Sequence, residues 1–207
     1  MATQNLKRLG IFGGTFDPIH FGHLLLAEFC REQRQLDQVW FLPADVPPHN
    51  QDRQLATTNQ RVQMLQLALG GHTSFQVCTM ELERGGVSYT RDTLESIHKQ
   101  LPQTELYLLL GGDSLHDLPN WRDPDRICQL AMLTIVQRPD FPAPDFTILE
   151  HLVPAERLEQ FSNAVVQMPQ LQLSSSEIRR RVQAEDSVRY QTPRAVEKYI
   201  ETQALYK

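Results

Sequence analysis

The chain has 207 residues, 41% of them hydrophobic, and a formal net charge of -5. That is enough apolar material for a buried core, so disorder is excluded, and no apolar run approaches the ~20 residues that span a bilayer. With 20 basic against 25 acidic residues, and only 179–181 as a cluster of like charge, the balance also argues against binding to nucleic acid through a basic surface.

Short apolar runs that stop at Gly, Pro or polar residues predict strands at 8–12, 38–42, 75–79, 106–110, 132–136 and 164–167. Between them, helical spacing predicts helices at 21–35, at 60–69 with Val62, Leu65 and Leu69 on one face, and at 90–101 with Leu94, Ile97 and Leu101. Two more follow at 174–184, with Ile178 and Val182, and at 193–200, opened by Pro193 in its first turn. The runs "LYLLL" and "MLTIV" barely alternate, the pattern of strands buried on both faces of a parallel sheet. Strand and helix take turns, so the expected fold class is α/β with a mostly parallel sheet flanked by helices and joined by right-handed crossovers. Residues 44–57 and 138–154, rich in proline, read as long loops. Cys30, Cys78 and Cys128 are odd in number, far apart and outside any CxxC pair. They argue against a disulfide framework and a cysteine zinc site and fit a reducing cytoplasm best. The opening residues, MATQNLKR, lack the apolar run of a signal peptide.

The stretch "GIFGGTFDPIHFGH" (10–23) carries the most chemistry. Gly13 and Gly14 follow the first strand, where open parallel sheets take ligands and where glycine lets backbone approach them. The helix that follows aims its unpaired N–H groups at the same place, which suits a phosphate. The loop is neither GxGxxG nor GxxxxGK[ST], against a dehydrogenase and a P-loop enzyme. His20 and His23, three apart at the helix start, read as two donors to phosphate oxygens. The plainer alternative is a polar turn with a helix cap. A zinc site is a third, without HExxH or a nearby cysteine to support it.

This stretch resembles the HxGH signature of the nucleotidyltransferase superfamily, and its longer form is similar to that of the bacterial nicotinate-nucleotide adenylyltransferases. Four further segments carry the resemblance. "VWFLPADVPPHN" (39–50) is similar to the second strand and its loop, with Asn50 where the family often has Lys; Pro47-Pro48 serve equally as a stiff loop. "VSYTRDTL" (87–94) resembles the start of the substrate-binding helix, with Ser88 as candidate N-cap and N–H groups around Thr90 free for an anion. "LLLGGDSLHDLPNW" (108–121) resembles the Gly-x-Asp-Ser segment, with Gly112 where many relatives have Ala. "LSSSEIRRR" (173–181) resembles an Ile-Ser-Ser-Thr-x-x-Arg-like motif, with Leu173 for Ile and Ser176 for Thr; Ser174 and Glu177 have capping-box spacing, and Arg180 and Arg181 read as a solvated face.

The resemblance implies a Rossmann-like, doubly wound single domain over 1–207, with a small C-terminal helical part from about 174 to 207. It implies His20, His23 and Arg179 as catalytic residues. It implies Gly13, Gly14, Thr15, Phe16, Gly22, Gly111, Asp113, Ser174, Ser175 and Ser176 as ATP contacts, and Asp17, His49, Tyr89, Thr90 and Trp121 as contacts to the second substrate. Trp121 would stack on a pyridine ring; a half-buried core aromatic is the alternative. The implied reaction joins ATP and nicotinate mononucleotide into nicotinate adenine dinucleotide and pyrophosphate in NAD biosynthesis. Mg²⁺ would be held by phosphates and water rather than by protein ligands. The implied setting is cytoplasmic, with no nucleic-acid or membrane partner, and monomer and homo-oligomer both remain open. Two other functions fit less of the chain: an adenylyltransferase for another acceptor such as phosphopantetheine, and a non-catalytic nucleotide-binding regulator.

Overall fold

Leu106, Tyr107, Leu108, Leu109 and Leu110 are all buried, as an unbroken apolar run predicts for a strand covered on both faces. The computed structural model describes residues 6–45, 55–137 and 142–207. Its strands are β1 (Arg8–Gly14), β2 (Gln38–Pro43), β3 (Phe75–Val77), β4 (Glu105–Gly111), β5 (Ala131–Gln137) and β6 (Val166–Gln167). They form one sheet in the order β3-β2-β1-β4-β5-β6. β4 pairs in parallel with β1, Arg8 opposite Glu105, and with β5, Leu106 opposite Ala131 and Gly111 opposite Val136. β5 pairs in parallel with β6. The order reverses between β1 and β4, which is the doubly wound arrangement of Rossmann-like folds. All the expected strands are present; β3 and β6 are shorter than read.

The helices are α1 (Phe21–Gln33), α2 (Thr58–Leu69), α3 (Met80–Arg84), α4 (Thr90–Gln100), α5 (Gly112–Asp117), α6 (Pro124–Leu130), α7 (Ala155–Ser162), α8 (Ser175–Gln183) and α9 (Arg194–Thr202). The sequence did not announce α3, α5, α6 and α7. At five to eight residues they are too short for a 3.6-residue period to show. Three local expectations are corrected. The buried face of α2 is Arg61, Met64, Leu65 and Leu69, not a stripe containing Val62, because an arginine takes one of its core positions. Pro193 stands at the N-cap of α9, one residue before its first turn. Ser88 does not cap α4; its hydroxyl accepts the Asp45 N–H at 3.0 Å, and Tyr89 occupies the cap position without a side-chain bond.

The chain divides into two compact units, interleaved in sequence. One comprises Met1–Phe12, Leu26–Trp40 and Tyr89–Gln170. Its core is the apolar run of β4 and β5 with Leu94 and Ile97 of α4 and Ile127 of α6, and Arg126 of α6 bonds Glu95 of α4 at 2.7 Å. The other comprises Gly13–Leu25, Phe41–Ser88 and Leu171–Lys207. There α2 lies against α9, with Tyr199 donating to Gln63, over a core of Phe16, Ile19, Met64, Leu65, Val196 and Ile200. Residues 174–207, expected as a C-terminal helical part, therefore cluster with the first loop.

Candidate active site

Between β1 and α1 the chain has no regular structure, so its carbonyls need donors from elsewhere. They have them. Gly14 O accepts the Ala44 N–H at 3.0 Å and Thr15 O accepts Arg61 Nη1 at 3.0 Å. Asp17 O accepts Arg179 Nη1 at 2.6 Å, Pro18 O accepts Ser175 Oγ at 2.9 Å, and Ile19 O accepts Thr192 Oγ1 at 2.7 Å. His20 O accepts the N–H groups of His23 and Leu24, the first bonds of α1. Ser175 and Pro18 are 157 positions apart. The HxGH turn and the SSSEIR helix thus meet, and the second braces the first.

This fixed backbone holds two imidazoles face to face. The His20 and His23 rings stack with centroids 3.7 Å apart, and Phe16 meets His23 edge-on at 5.2 Å. The His20 N–H donates to His23 Nδ1 at 3.2 Å. That bond assigns the His23 proton to Nε2. Burial, and then the charge of His20, hold the His23 pKa well below the ordinary histidine value, so His23 is a neutral Nε2–H donor at pH 7. Two glycines make room for the rings. A Cβ on Gly14 would lie 2.9 Å from the Phe16 ring, closer than real Cβ atoms approach, and one on Gly22 would lie 3.0 Å from the His20 ring, a tight contact that the ring would have to yield to. The sequence reading gave these glycines to the ligand alone. The structure gives Gly14 and Gly22 to the protein's own rings and leaves Gly13 open, with nothing within 4 Å of its Cβ position.

The depressed pKa has a consequence for stability. The unfolded chain takes up a proton at a normal histidine as pH falls through about 6.5, and the folded chain does so only lower. The stability from a neutral His23 is thus complete above that value and is lost as pH falls below it, by up to about 1.4 kcal/mol per pH unit. In His23→Gln, urea unfolding at pH 7.5 and pH 5.5 will differ by less than in the unsubstituted chain. An equal difference in both would show that His23 is normally protonated.

Around this pair the second unit places three charged groups. Arg179, on α8, also donates to Ser176 Oγ at 3.2 Å and lies 3.8 Å from the Asp17 carboxylate. Ser174 caps α8 by accepting the Glu177 N–H. The other half of the expected capping box does not form, because Glu177 turns to Arg180, whose guanidinium it accepts at 2.7 and 2.8 Å. Asp17 is 1% exposed; it accepts the Tyr206 hydroxyl at 2.5 Å and the Ala56 N–H at 3.3 Å. Burial raises its pKa, opposed by Tyr206 and Arg179. Arg61 is 2% exposed and, besides Thr15 O, donates to Asp45 O at 3.3 Å and Thr58 Oγ1 at 3.2 Å. Ser176, Arg179, Gln60, Gln183 and Tyr206 line an open cleft. His49 lies outside the described residues.

Nearly the full length of the chain is shared with known proteins. A family model described as cytidylyltransferase-like matches residues 11–181. A Thermomicrobium roseum protein named as a probable nicotinate-nucleotide adenylyltransferase is 45% identical over 202 residues, 98% of this chain and 92% of that protein. A Roseiflexus protein of the same name is 42% identical, over 96% of this chain and 98% of its own length. The chain belongs to the nicotinate-nucleotide adenylyltransferase family. Its fold is shared by the Plasmodium falciparum nicotinic acid mononucleotide adenylyltransferase complexed with NaAD, at a TM-score of 0.73 and 20% identity over 97% of each chain.

The other residues that the adenylyltransferase resemblance singles out lie in the first unit. Gly111 ends β4 and caps α5, and Asp113 is exposed in its first turn. Both border a cleft with His116, Gln137 and Pro144. Tyr89 precedes α4 and its ring carries the Arg122 guanidinium at 4.8 Å. Arg122 and Arg91 both pair with Asp92, at 3.4 and 2.9 Å. Thr90 is the first residue of α4. Trp121 is half-buried, and its indole N–H has no protein partner among the described residues. Sequence reasoning missed Arg61, Thr192 and Tyr206. A charged residue four before Leu65 on an apolar face was a usable sign for Arg61; Thr192 and Tyr206 belong to no motif.

Proposed function

We propose that this chain transfers AMP from ATP to nicotinate mononucleotide, releasing nicotinate adenine dinucleotide and pyrophosphate. The observation that carries the reading is the HxGH turn braced by α8, which presents His20, His23, Ser176 and Arg179 from one unit. A 5′-phosphate, with a second pKa near ~6, is largely dianionic at neutral pH. It attacks the α-phosphorus without a strong base, as the bond to the bridging oxygen breaks and its electron pair leaves with pyrophosphate. The task left to the protein is positioning and charge stabilisation. His23 gives its Nε2–H to the α-phosphate and the departing bridging oxygen, and His20 contacts the same phosphates. Arg179 and Ser176 take the β- and γ-phosphates. Ser175 already spends its proton on Pro18, so its part is to hold the turn. Gly13, Thr15 and Phe16 pass beside ATP through backbone. In the first unit, Gly111 and Asp113 contact ATP, and Tyr89, Thr90 and Trp121 contact the mononucleotide.

Mg²⁺ would arrive with the triphosphate and would be held by phosphate oxygens and water, neutralising charge on the leaving pyrophosphate. A reducing cytoplasm is supported by three free cysteines. No described helix is long and apolar enough to cross a membrane. The test is pyrophosphate release with ATP and Mg²⁺, comparing nicotinate with nicotinamide mononucleotide. The acid is expected to be preferred by about tenfold or more, the worth of one charge-assisted hydrogen bond. Equal use of both would remove the carboxylate contact near Thr90 and Trp121; release with neither would overturn the reaction.

A further inference from the structure

We infer that Tyr206 is a positioning residue for this transfer: acting through Asp17, it keeps the Arg179 guanidinium turned toward the cleft. The inference rests on the reaction proposed above. Asp17 sits inside the HxGH signature, yet its side chain is 1% exposed, so its carboxylate faces protein rather than substrate. A buried carboxylate needs donors on both oxygens. Here Tyr206 supplies the shortest, 2.5 Å to Oδ1, and Ala56 N–H lies 3.3 Å from Oδ1 and 3.4 Å from Oδ2. Arg179 Nη1 is the nearest cation to Oδ2, at 3.8 Å, while the same nitrogen bonds the Asp17 carbonyl at 2.6 Å.

Arg179 therefore stands at the edge of ion-pair range with a carboxylate that has been satisfied by something else. Its Nη2 bonds Ser176 Oγ, and both residues border the open cleft. Remove the phenol hydroxyl and Asp17 loses its best donor. The nearest replacement is Arg179, whose Nη1 lies 3.8 Å from Oδ2 and needs to move only about 1 Å to form a charge-assisted bond. The guanidinium then closes on Asp17 and is withdrawn from an incoming phosphate. Tyr206 is suited to prevent this. Burial and the Asp17 charge push its phenol pKa far up, so it donates at every working pH. Its backbone has φ of 63°, a left-handed conformation that bulky residues adopt only where the surroundings impose it.

The experiment compares steady-state pyrophosphate release by the unsubstituted chain, Tyr206→Phe, Arg179→Ala and the double variant, each normalised to folded protein by circular dichroism. Tyr206→Phe is expected to lower kcat about tenfold, the scale of a small misplacement of a charged group, with KM for the mononucleotide unchanged. In the Arg179→Ala background the same change is expected to cost less than twofold, because its route of action is gone. A purely structural Tyr206 would lower the melting temperature and leave kcat per folded molecule alone. Where Tyr206→Phe does not fold, it is read in the Asp17→Asn background, which removes the charge that would draw Arg179 in: Tyr206→Phe/Asp17→Asn is expected to keep kcat within about twofold of Asp17→Asn alone, and a tenfold loss between those two overturns the positioning role. Full kcat in Tyr206→Phe, or a loss that persists in the Arg179→Ala background, overturns the positioning role alone. No pyrophosphate from the unsubstituted chain overturns the reaction, and the role with it.

Discussion

His23→Ala will cut pyrophosphate release at least about a hundredfold while the protein stays folded. The size follows from the kind of contact removed. His23 offers one donor to charge that develops only as the bond to the leaving pyrophosphate lengthens, and loss of one such preorganised donor costs about 10² to 10³ in rate. The donor is preorganised because its other nitrogen is held by the His20 N–H and its ring lies between His20 and Phe16. The fold does not depend on it in the same way: the carbonyls of Gly14, Thr15, Asp17, Pro18 and Ile19 are bonded by Ala44, Arg61, Arg179, Ser175 and Thr192. The measurement is single-turnover formation of the dinucleotide at saturating ATP, beside a thermal melt. Turnover within fivefold of the unsubstituted chain would take His23 out of the chemistry.

That bonding pattern explains what a reader of the sequence could see and what was hidden. The strands were legible because burial on both faces leaves a run such as "LYLLL" with no polar position. Helices with an apolar stripe over ten residues or more were legible for the analogous reason, and α3, α5, α6 and α7 were not, being too short to repeat. The two signatures could be read as phosphate sites, one at each end of the chain. Their union could not, because Ser175 to Pro18 and Arg179 to Asp17 are bonds between side chains and main-chain oxygens, and any loop offers such oxygens. The same holds for Thr192. At Gly14 and Gly22 the rings of Phe16 and His20 take up the space a Cβ would fill, a fact about packing that no spacing reveals. Asp17 stands in a motif that could be read, but its burial and its bond to Tyr206, 189 positions away, could not.

Arg61 carries the second large effect. Arg61→Met is expected to destabilise the protein by about 3–5 kcal/mol, the cost of taking one partner from a buried charged network. Methionine can fill much of the space on the inner face of α2, so the loss will not come mainly from a cavity. It comes from the groups left behind. The half-buried carbonyls of Thr15 and Asp45 and the Thr58 hydroxyl lose their donor, and an acceptor without a partner costs up to about 1–3 kcal/mol when fully buried. Asp17, whose pKa burial already raises and Arg61 helps to lower, will be pushed up further. Burial lowers the pKa of Arg61 itself, but a guanidinium remains charged in any folded protein, so the network always contains this cation. Arg61→Lys will recover only part of the loss, because one ammonium cannot reach acceptors that a planar fork reaches in different directions. Urea midpoints with m-values measure both variants. A loss under about 1 kcal/mol in Arg61→Met would mean that water, rather than Arg61, satisfies these carbonyls, and that Ala44, α8 and Thr192 are enough to hold the turn bearing His20 and His23.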